Sequence, residues 1–310
     1  MMPVLAWTGS KLDPPPDGGY PNRDTAEGQD ALFRLTTGVD NTAVGSDALY
    51  HNIEGSFNMA TGVGALLNNT KGHDNTAIDY NALLNNTNCC NTAIGSGALE
   101  ENTTGIDNTA IGLGALFDNT TGDENTAIGK AAVGDNTTGG ENTAIGWAAL
   151  LNNDGNDNPA IGNRAMELHN TGDNNTAIGR QALRGDGNDN TAIGQNAMFN
   201  IGTGNNNIAL GSNAGKNLSR GDNNIFIGNF GLNRESNTIR IGTSGTQTAT
   251  YVAGISGATV PDGVAVIVGA DGHLGTVISS ARFKDKITDG QRQRSHSPPA
   301  TGDVPLQARA

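Results

Sequence analysis

Apolar residues recur along this chain on one fixed frame. The pentad Asn-Thr-Ala-Ile-Gly stands at 91–95, 108–112, 125–129, 142–146, 175–179 and 190–194. With column 0 set at its closing residue, the series runs Gly28, Gly45, Gly62, Asp79, Gly95, Gly112, Gly129, Gly146, Gly162, Gly179, Gly194, Gly211, Gly228 and Gly242, fourteen units mostly 17 residues apart. Column −4 is Asn in twelve units, Asp24 and Thr238 being the exceptions. Column −3 is usually Thr, and column −2 is Ala from Ala26 to Ala209. Column −1 is Ile, Val or Leu in twelve units, Glu27 and Thr61 departing from it. Column +3 is Ala from Ala31 to Ala214, and column +4 is mostly Leu, Val or Met. A period of this length is the mark of a stacked repeat array.

Each unit reads as two short strands and two turns. Thr-Ala-Ile-Gly forms the first strand, Ala-Leu opens the second, and Gly and Asn occupy corners that need positive φ. Helix is disfavoured, since each interior Gly costs about 1 kcal/mol against Ala. The predicted fold is therefore all-β: a parallel β-solenoid, or β-roll, of about fourteen 17-residue rungs. Rungs about 4.8 Å apart make a rod on the order of 60–65 Å long. The column −4 amides are placed to bond to their neighbours above and below, as in cross-β stacks. Side chains alternate along a strand, so Thr and Ile share one face and Ala and Gly the other. Both faces are apolar or small, where a strand buried on one side only would show a polar face. One face is expected to fill the coil and the other to meet a second chain, the Ala/Gly face allowing close backbone approach.

Composition agrees with a thin coil. Glycine supplies 45 of 310 residues, aromatics 4% and hydrophobics 35%, too little bulk for a conventional core. The net charge of −13 argues against nucleic acid as a partner, because phosphate binding needs clustered Lys and Arg. No apolar stretch approaches the ~20 residues of a membrane span, and the first residues lack the pattern of a signal peptide. Cys89 and Cys90 are adjacent, which is neither a disulfide framework nor zinc spacing, and they read as a loop substitution in one repeat. The five histidines occupy unrelated columns. No cofactor is implied.

The columns from about Asp24 to Gly242 resemble the head domains of trimeric autotransporter adhesins, built from runs such as Ala-Ile-Gly followed by Ala. The resemblance implies a left-handed roll, a homotrimer, and a place on a bacterial cell surface, outside the cell or on a virion tail. After Gly242 the frame stops. Val/Ile alternation with turns at Pro261-Asp262-Gly263 and Asp271-Gly272 predicts short β-hairpins over 243–278. The stretch GHLGTVISSARFKDKI (272–287) then resembles the opening of the intramolecular chaperone of endosialidase, a self-cleaving peptidase family that closes phage tail fibres. That resemblance implies a serine nucleophile at Ser279, a lysine base at Lys284 and cleavage between Ser279 and Ser280. A lysine whose pKa is lowered by burial can act as such a base. Only 23 residues follow Ile287, so 279–287 is expected to be an inactive remnant and 288–310 a disordered tail. The Pro-rich lead-in 1–23 is expected to be extended and disordered. It resembles the lead-in of bacterial repeat proteins that join such rungs to this chaperone.

The functional expectation is a structural, adhesive fibre segment with receptor or glycan contacts on the Asn/Thr/Asp loops. One alternative is an autoprotease whose single turnover cleaves Ser279–Ser280. Another is a calcium- or ligand-binding solenoid, with Asp186 and Asp189 on the turn GDGNDNTAI as candidate metal ligands. The Arg-Gly-Asp tripeptides at 184–186 and 220–222 coincide with the repeat's own corner. An ice-binding face on the Thr column is disfavoured, since the Ile beside it prefers burial.

Overall fold

The structure is a computed structural model that describes residues 21–168, 171–255 and 264–276. Fourteen three-residue strands, β1 to β14, lie at Thr25–Glu27, Thr42–Val44, Met59–Thr61, Thr76–Ile78, Thr92–Ile94, Thr109–Ile111, Thr126–Ile128, Thr143–Ile145, Pro159–Ile161, Thr176–Ile178, Thr191–Ile193, Ile208–Leu210, Ile225–Ile227 and Ile239–Ile241. They form one parallel sheet in sequence order. Register is column on column: Ala93 pairs with Ala110 and Ala110 with Ala127. The chain is thus a parallel β-solenoid, one rung per repeat. Residues from Ser244 form a separate unit. There β15 (Val266–Val268) and β16 (Leu274–Thr276) make an antiparallel hairpin around the Asp271-Gly272 turn. The Pro261 turn lies outside the described residues, as do most of the lead-in and all of 279–310.

The second predicted strand is not a strand. The Ala-Leu segment does bond rung to rung, as in Leu116 N–H to Ala132 O at 3.0 Å. Its leucines, however, hold left-handed backbone: Leu49, Leu66, Leu99 and Leu116 have φ of 52–53°. That conformation costs about 1–2 kcal/mol, and each of these side chains is fully buried, which offsets it by about 2 kcal/mol. The corner is bent to drive Leu into a coil too narrow for a second extended segment.

The faces are also settled. Column −2 Ala, column +3 Ala and column +4 Leu fill the interior, with Ala93, Ala98 and Leu99 all at 0% exposure. The Ala face is therefore the inside of the coil and not a contact surface. Column −1 points outward, with Ile94, Ile111 and Ile128 each 37% exposed. The preference of Ile for burial thus gives no ground against a wet Thr/Ile face. Near the C-terminal end the core trades volumes. Phe226 takes the Ala place in β13, while Gly215 and Gly231 stand where Leu or Ala would, and a Cβ on Gly215 would come 2.9 Å from the Phe226 ring. Arg240 then takes the column in β14 and pairs with Glu235 at 2.8 Å, closing the stack with a charge pair.

Two asparagine ladders run along the coil, the first from Asn41 to Asn224 and the second over shorter stretches between Asn52 and Asn136. In column −4, Oδ1 of each Asn accepts from the next rung's backbone N–H: Asn91 from Asn108 at 3.0 Å and Asn108 from Asn125 at 2.9 Å. The second ladder, in column +7, was not read from the sequence. Asn119 Nδ2 donates to Asn102 Oδ1 at 2.8 Å, and Asn136 Nδ2 to Asn119 Oδ1 at 2.7 Å. Both ladders converge on one carbonyl per rung: Gly122 O accepts from Asn108 Nδ2 at 2.8 Å and Asn119 Nδ2 at 3.0 Å.

The first rung shows what the ladder requires. Asp24 stands in the Asn column, 2% exposed. Its Oδ1 accepts from Asn41 N–H and Nδ2 at 2.7 and 3.1 Å, while Oδ2 is buried with no partner. Burial raises its pKa, against the lowering hydrogen bonds from Asn41. A raised carboxyl favours folding at low pH, and that contribution is lost as pH rises through the folded-state pKa. Asp24→Asn is therefore expected to stabilise the first rung by about 1 kcal/mol at neutral pH, its Nδ2 reaching Gly38 O as Asn41 Nδ2 reaches Gly55 O. At acid pH, where Asp24 is already neutral, the gain should shrink. Amide exchange at the Asn41 N–H, measured at both pH values, checks this.

Candidate functional site

The outward strand face repeats from rung to rung. Each rung from β4 to β11 contributes one β-branched side chain from column −1 and, except at Pro159, a Thr from column −3. Both types fit a pleated surface. Thr92, Thr109 and Thr126 are half-buried and the Ile beside each is more open. Among the described residues the hydroxyls of these three threonines have no protein partner. The result is a flat, two-column array of methyl groups and free hydroxyls.

Elsewhere the outward corners carry varied groups. Phe33 stacks on Tyr50 at 5.2 Å, Tyr50 meets His51 edge-on at 4.7 Å, and Arg34 lies 5.5 Å over the Tyr50 ring. Burial, then the Arg34 charge, lowers the pKa of His51. Arg164 covers Trp147 at 4.4 Å and Arg184 covers Phe199 at 4.7 Å. These arginines sit where cation–π contact holds them.

The sequence-predicted site residues are scattered. Ser279 and Lys284 lie outside the described residues. Asp186 and Asp189 are both exposed on one corner; the Asp186 N–H donates to Gly202 O at 2.7 Å and the Asp189 N–H to Asp173 O at 3.1 Å. The corner Arg-Gly-Asp tripeptides are engaged by the coil itself: Asp222 Oδ1 accepts from Asn205 N–H at 2.8 Å.

What sequence reasoning missed is a cluster on the corner before β4 and β5. His73 and Cys89 share column −6 on successive rungs, and Asp74 and Cys90 share column −5. The His73 Nδ1 bonds to the Asp74 carboxylate at 2.8 Å, and the Cys90 N–H donates to His73 O at 3.1 Å. The ligand atoms of His73, Cys89 and Cys90 all lie within 4.8 Å of one another, and among the described residues no other group of three His, Cys, Asp or Glu comes so close. The Cys90 thiol is pushed up to about 12, first by a side-chain hydrogen bond with Cys89, then by burial and the negative charges around it, Asp107 and Asp74 among them. Aligning the His and Cys positions on the repeat frame would have exposed this pairing.

Fold and surfaces together define a parallel β-solenoid with a Thr/Ile-faced sheet and decorated corners. Among the described residues no helix is long and apolar enough to cross a membrane. No protein-family model, curated protein or solved structure matches the sequence.

Proposed function

We propose that this chain is a structural rod, an adhesive fibre segment that assembles as a homotrimer through its outward Thr/Ile face. The observation that carries the reading is the continuity of that face. Column −1 stays apolar from Ile78 to Ile241, with Ile145, Ile161 and Ile178 each 38–40% exposed. A stripe of this length at ~4.8 Å per rung is far larger than scattered surface apolar residues, and such patches mark interaction sites. A second copy supplies an identical column at the same spacing, so the faces match rung for rung. The resemblance to trimeric adhesin heads points the same way. The corners, which vary from rung to rung while the strand columns hold, then serve receptor or glycan contact at a bacterial surface or virion tail.

Native mass spectrometry of the full chain tests this. Wild type is expected to be trimeric, and the triple variant Ile111→Lys, Ile128→Lys, Ile145→Lys monomeric with unchanged far-ultraviolet circular dichroism. A monomeric wild type would overturn the reading and return the wet Thr/Ile face to ice binding. The same spectra address the second reading, which rests on the resemblance at 272–287. A fragment ending at Ser279, absent from Ser279→Ala, would favour the autoprotease.

A further inference from the structure

We propose that His73, Cys89 and Cys90 form a Cys2His site for one zinc-type divalent ion, clipping two successive rungs together. The solenoid frame creates the site. Column mates on neighbouring rungs lie one sheet spacing, about 4.8 Å, apart, so a His at 73 and a Cys at 89 face each other whatever else the corner does. Cys90 joins them because column −5 takes left-handed backbone at every rung. Cys90 has φ 68°, as Asp74 has 56° and Asp107 57°, and this turn brings the adjacent sulfur round to the same cluster. A tetrahedral zinc ion with Zn–S near 2.3 Å and Zn–N near 2.0 Å separates its ligand atoms by about 3.5–3.8 Å. The observed spacing, within 4.8 Å, is reached by small side-chain rotations.

The surroundings suit a cation. His73 Nδ1 lies 2.8 Å from the Asp74 carboxylate; with Nδ1–H donating there, this is the carboxylate–histidine arrangement that offers Nε2 to a metal. Asp74 and Asp107 flank Cys90 in its own column, one rung to either side. Two thiolates and an imidazole select zinc and its soft congeners over magnesium or calcium. The local hydrogen bonding also departs from its neighbours here. On rungs further along, the column −6 N–H donates to the next rung's side chain, as Ile106 does to Asp123 Oδ1 at 2.8 Å and Asn188 to Asn205 Oδ1 at 2.9 Å. The next rung offers Cys89 only Ile106, whose side chain has no acceptor, and its N–H turns instead to Asn88 Oδ1 at 3.0 Å. Oxidation to a bond between the two cysteines is the competing fate, and geometry opposes it. Adjacent Cα atoms are about 3.8 Å apart, below the roughly 4.4 Å at which disulfides ordinarily begin. Three protein ligands leave a fourth position open toward solvent, since His73 is exposed.

The full chain, kept reduced with a phosphine, is titrated with Cd2+ while thiolate-to-metal charge-transfer absorption is followed, and Zn2+ is then used to displace it. One ion per chain is expected, with the band abolished in Cys89→Ser/Cys90→Ser and affinity reduced at least tenfold in His73→Ala. Asp74→Asn should weaken binding about tenfold through the imidazole. Zn2+ should also raise the melting temperature of wild type and not of the double variant. Serine already stands in column −6 at Ser56, so unchanged circular dichroism is expected for the double variant and checks that it folds. A wild type with no saturable band, a double variant that keeps it, or a His73→Ala chain that binds as tightly as wild type would overturn the site.

Discussion

Gly129→Ala is expected to break the rod in the middle, lowering stability by about 3 kcal/mol or more and splitting one unfolding transition into two. Two causes act at this column, and both come from the stack. Gly129 has φ +134°, a region open essentially to glycine alone. A Cβ there would lie 2.4 Å from Gly146 O and 2.8 Å from Gly146 C. The obstacle is backbone of the next rung, which cannot rotate aside as a side chain could. Because each rung touches only its neighbours, a lesion at one interface weakens coupling between the halves without dissolving either. Two-probe thermal or urea unfolding reads both effects. A single transition with an unchanged midpoint would show that the rungs are not stacked as described.

Gly114→Ala is the matched control. Gly114 has φ +60° and nothing within 4 Å of the point where an alanine methyl would stand, and Asp47 and Asn81 take its place in other rungs with φ of 60° and 56°. Its cost is that of left-handed backbone alone, about 1 kcal/mol, and Asn in place of Ala should reduce even that. Column 0 has its own exception in Asp79, which sits at φ 103° with Oδ1 accepting its neighbour Tyr80 N–H at 2.7 Å. It opens the 16-residue unit that ends at Gly95.

Periodicity made much of this legible. The strand, the parallel order, the register of Ala93 on Ala110 on Ala127 and the column −4 ladder all follow from repeated letters at a repeated distance. What alternation could not decide was which face turns inward. Thr-Ala-Ile-Gly is small on one side and β-branched on the other, and either side could be buried. Width decides it: the coil has room for two Ala and one Leu per rung, so Ile is left outside. The left-handed leucines were hidden because Leu carries no signal for positive φ, where Gly or Asn would have. The column +7 ladder was hidden although Asn recurs there without a break from Asn52 to Asn153, because Asn is also an ordinary corner residue and its letters alone do not separate a turn from a buried ladder. The His73–Cys89 pairing escaped because neither residue repeats, and a search for recurring columns passes over a site that one pair of rungs makes once.

Substitution of Asn108 should give an order of stability that reverses with pH. Asn108→Ala leaves the Asn125 N–H, which now donates to Asn108 Oδ1 at 2.9 Å, buried without an acceptor. Gly122 O keeps Asn119 and Asn91 Oδ1 keeps the Asn108 N–H, so the loss is about 2 kcal/mol and nearly independent of pH. Asn108→Asp keeps the acceptor for Asn125 but turns the donor end into an oxygen facing Asn91 Oδ1 and Gly122 O, at 3.2 and 2.8 Å from the present nitrogen. At neutral pH that is a buried charge pressed against two acceptors, and the cost should reach about 3–5 kcal/mol. Burial raises such a carboxyl in the folded state, as it does Asp24. Its stabilising form, the neutral acid, is fully present below the unfolded value of about 3.9 and is lost as pH rises through the folded one. Once protonated, its hydroxyl donates to one of the two facing oxygens while the other carboxyl oxygen still receives Asn125. Below that pH the Asp variant should therefore be more stable than the Ala variant, and at neutral pH less stable. Urea denaturation of both variants at the two pH values tests the crossing. If the order stays the same at both, the ladder does not depend on the amide donor, and Asn in this column is there for its shape alone.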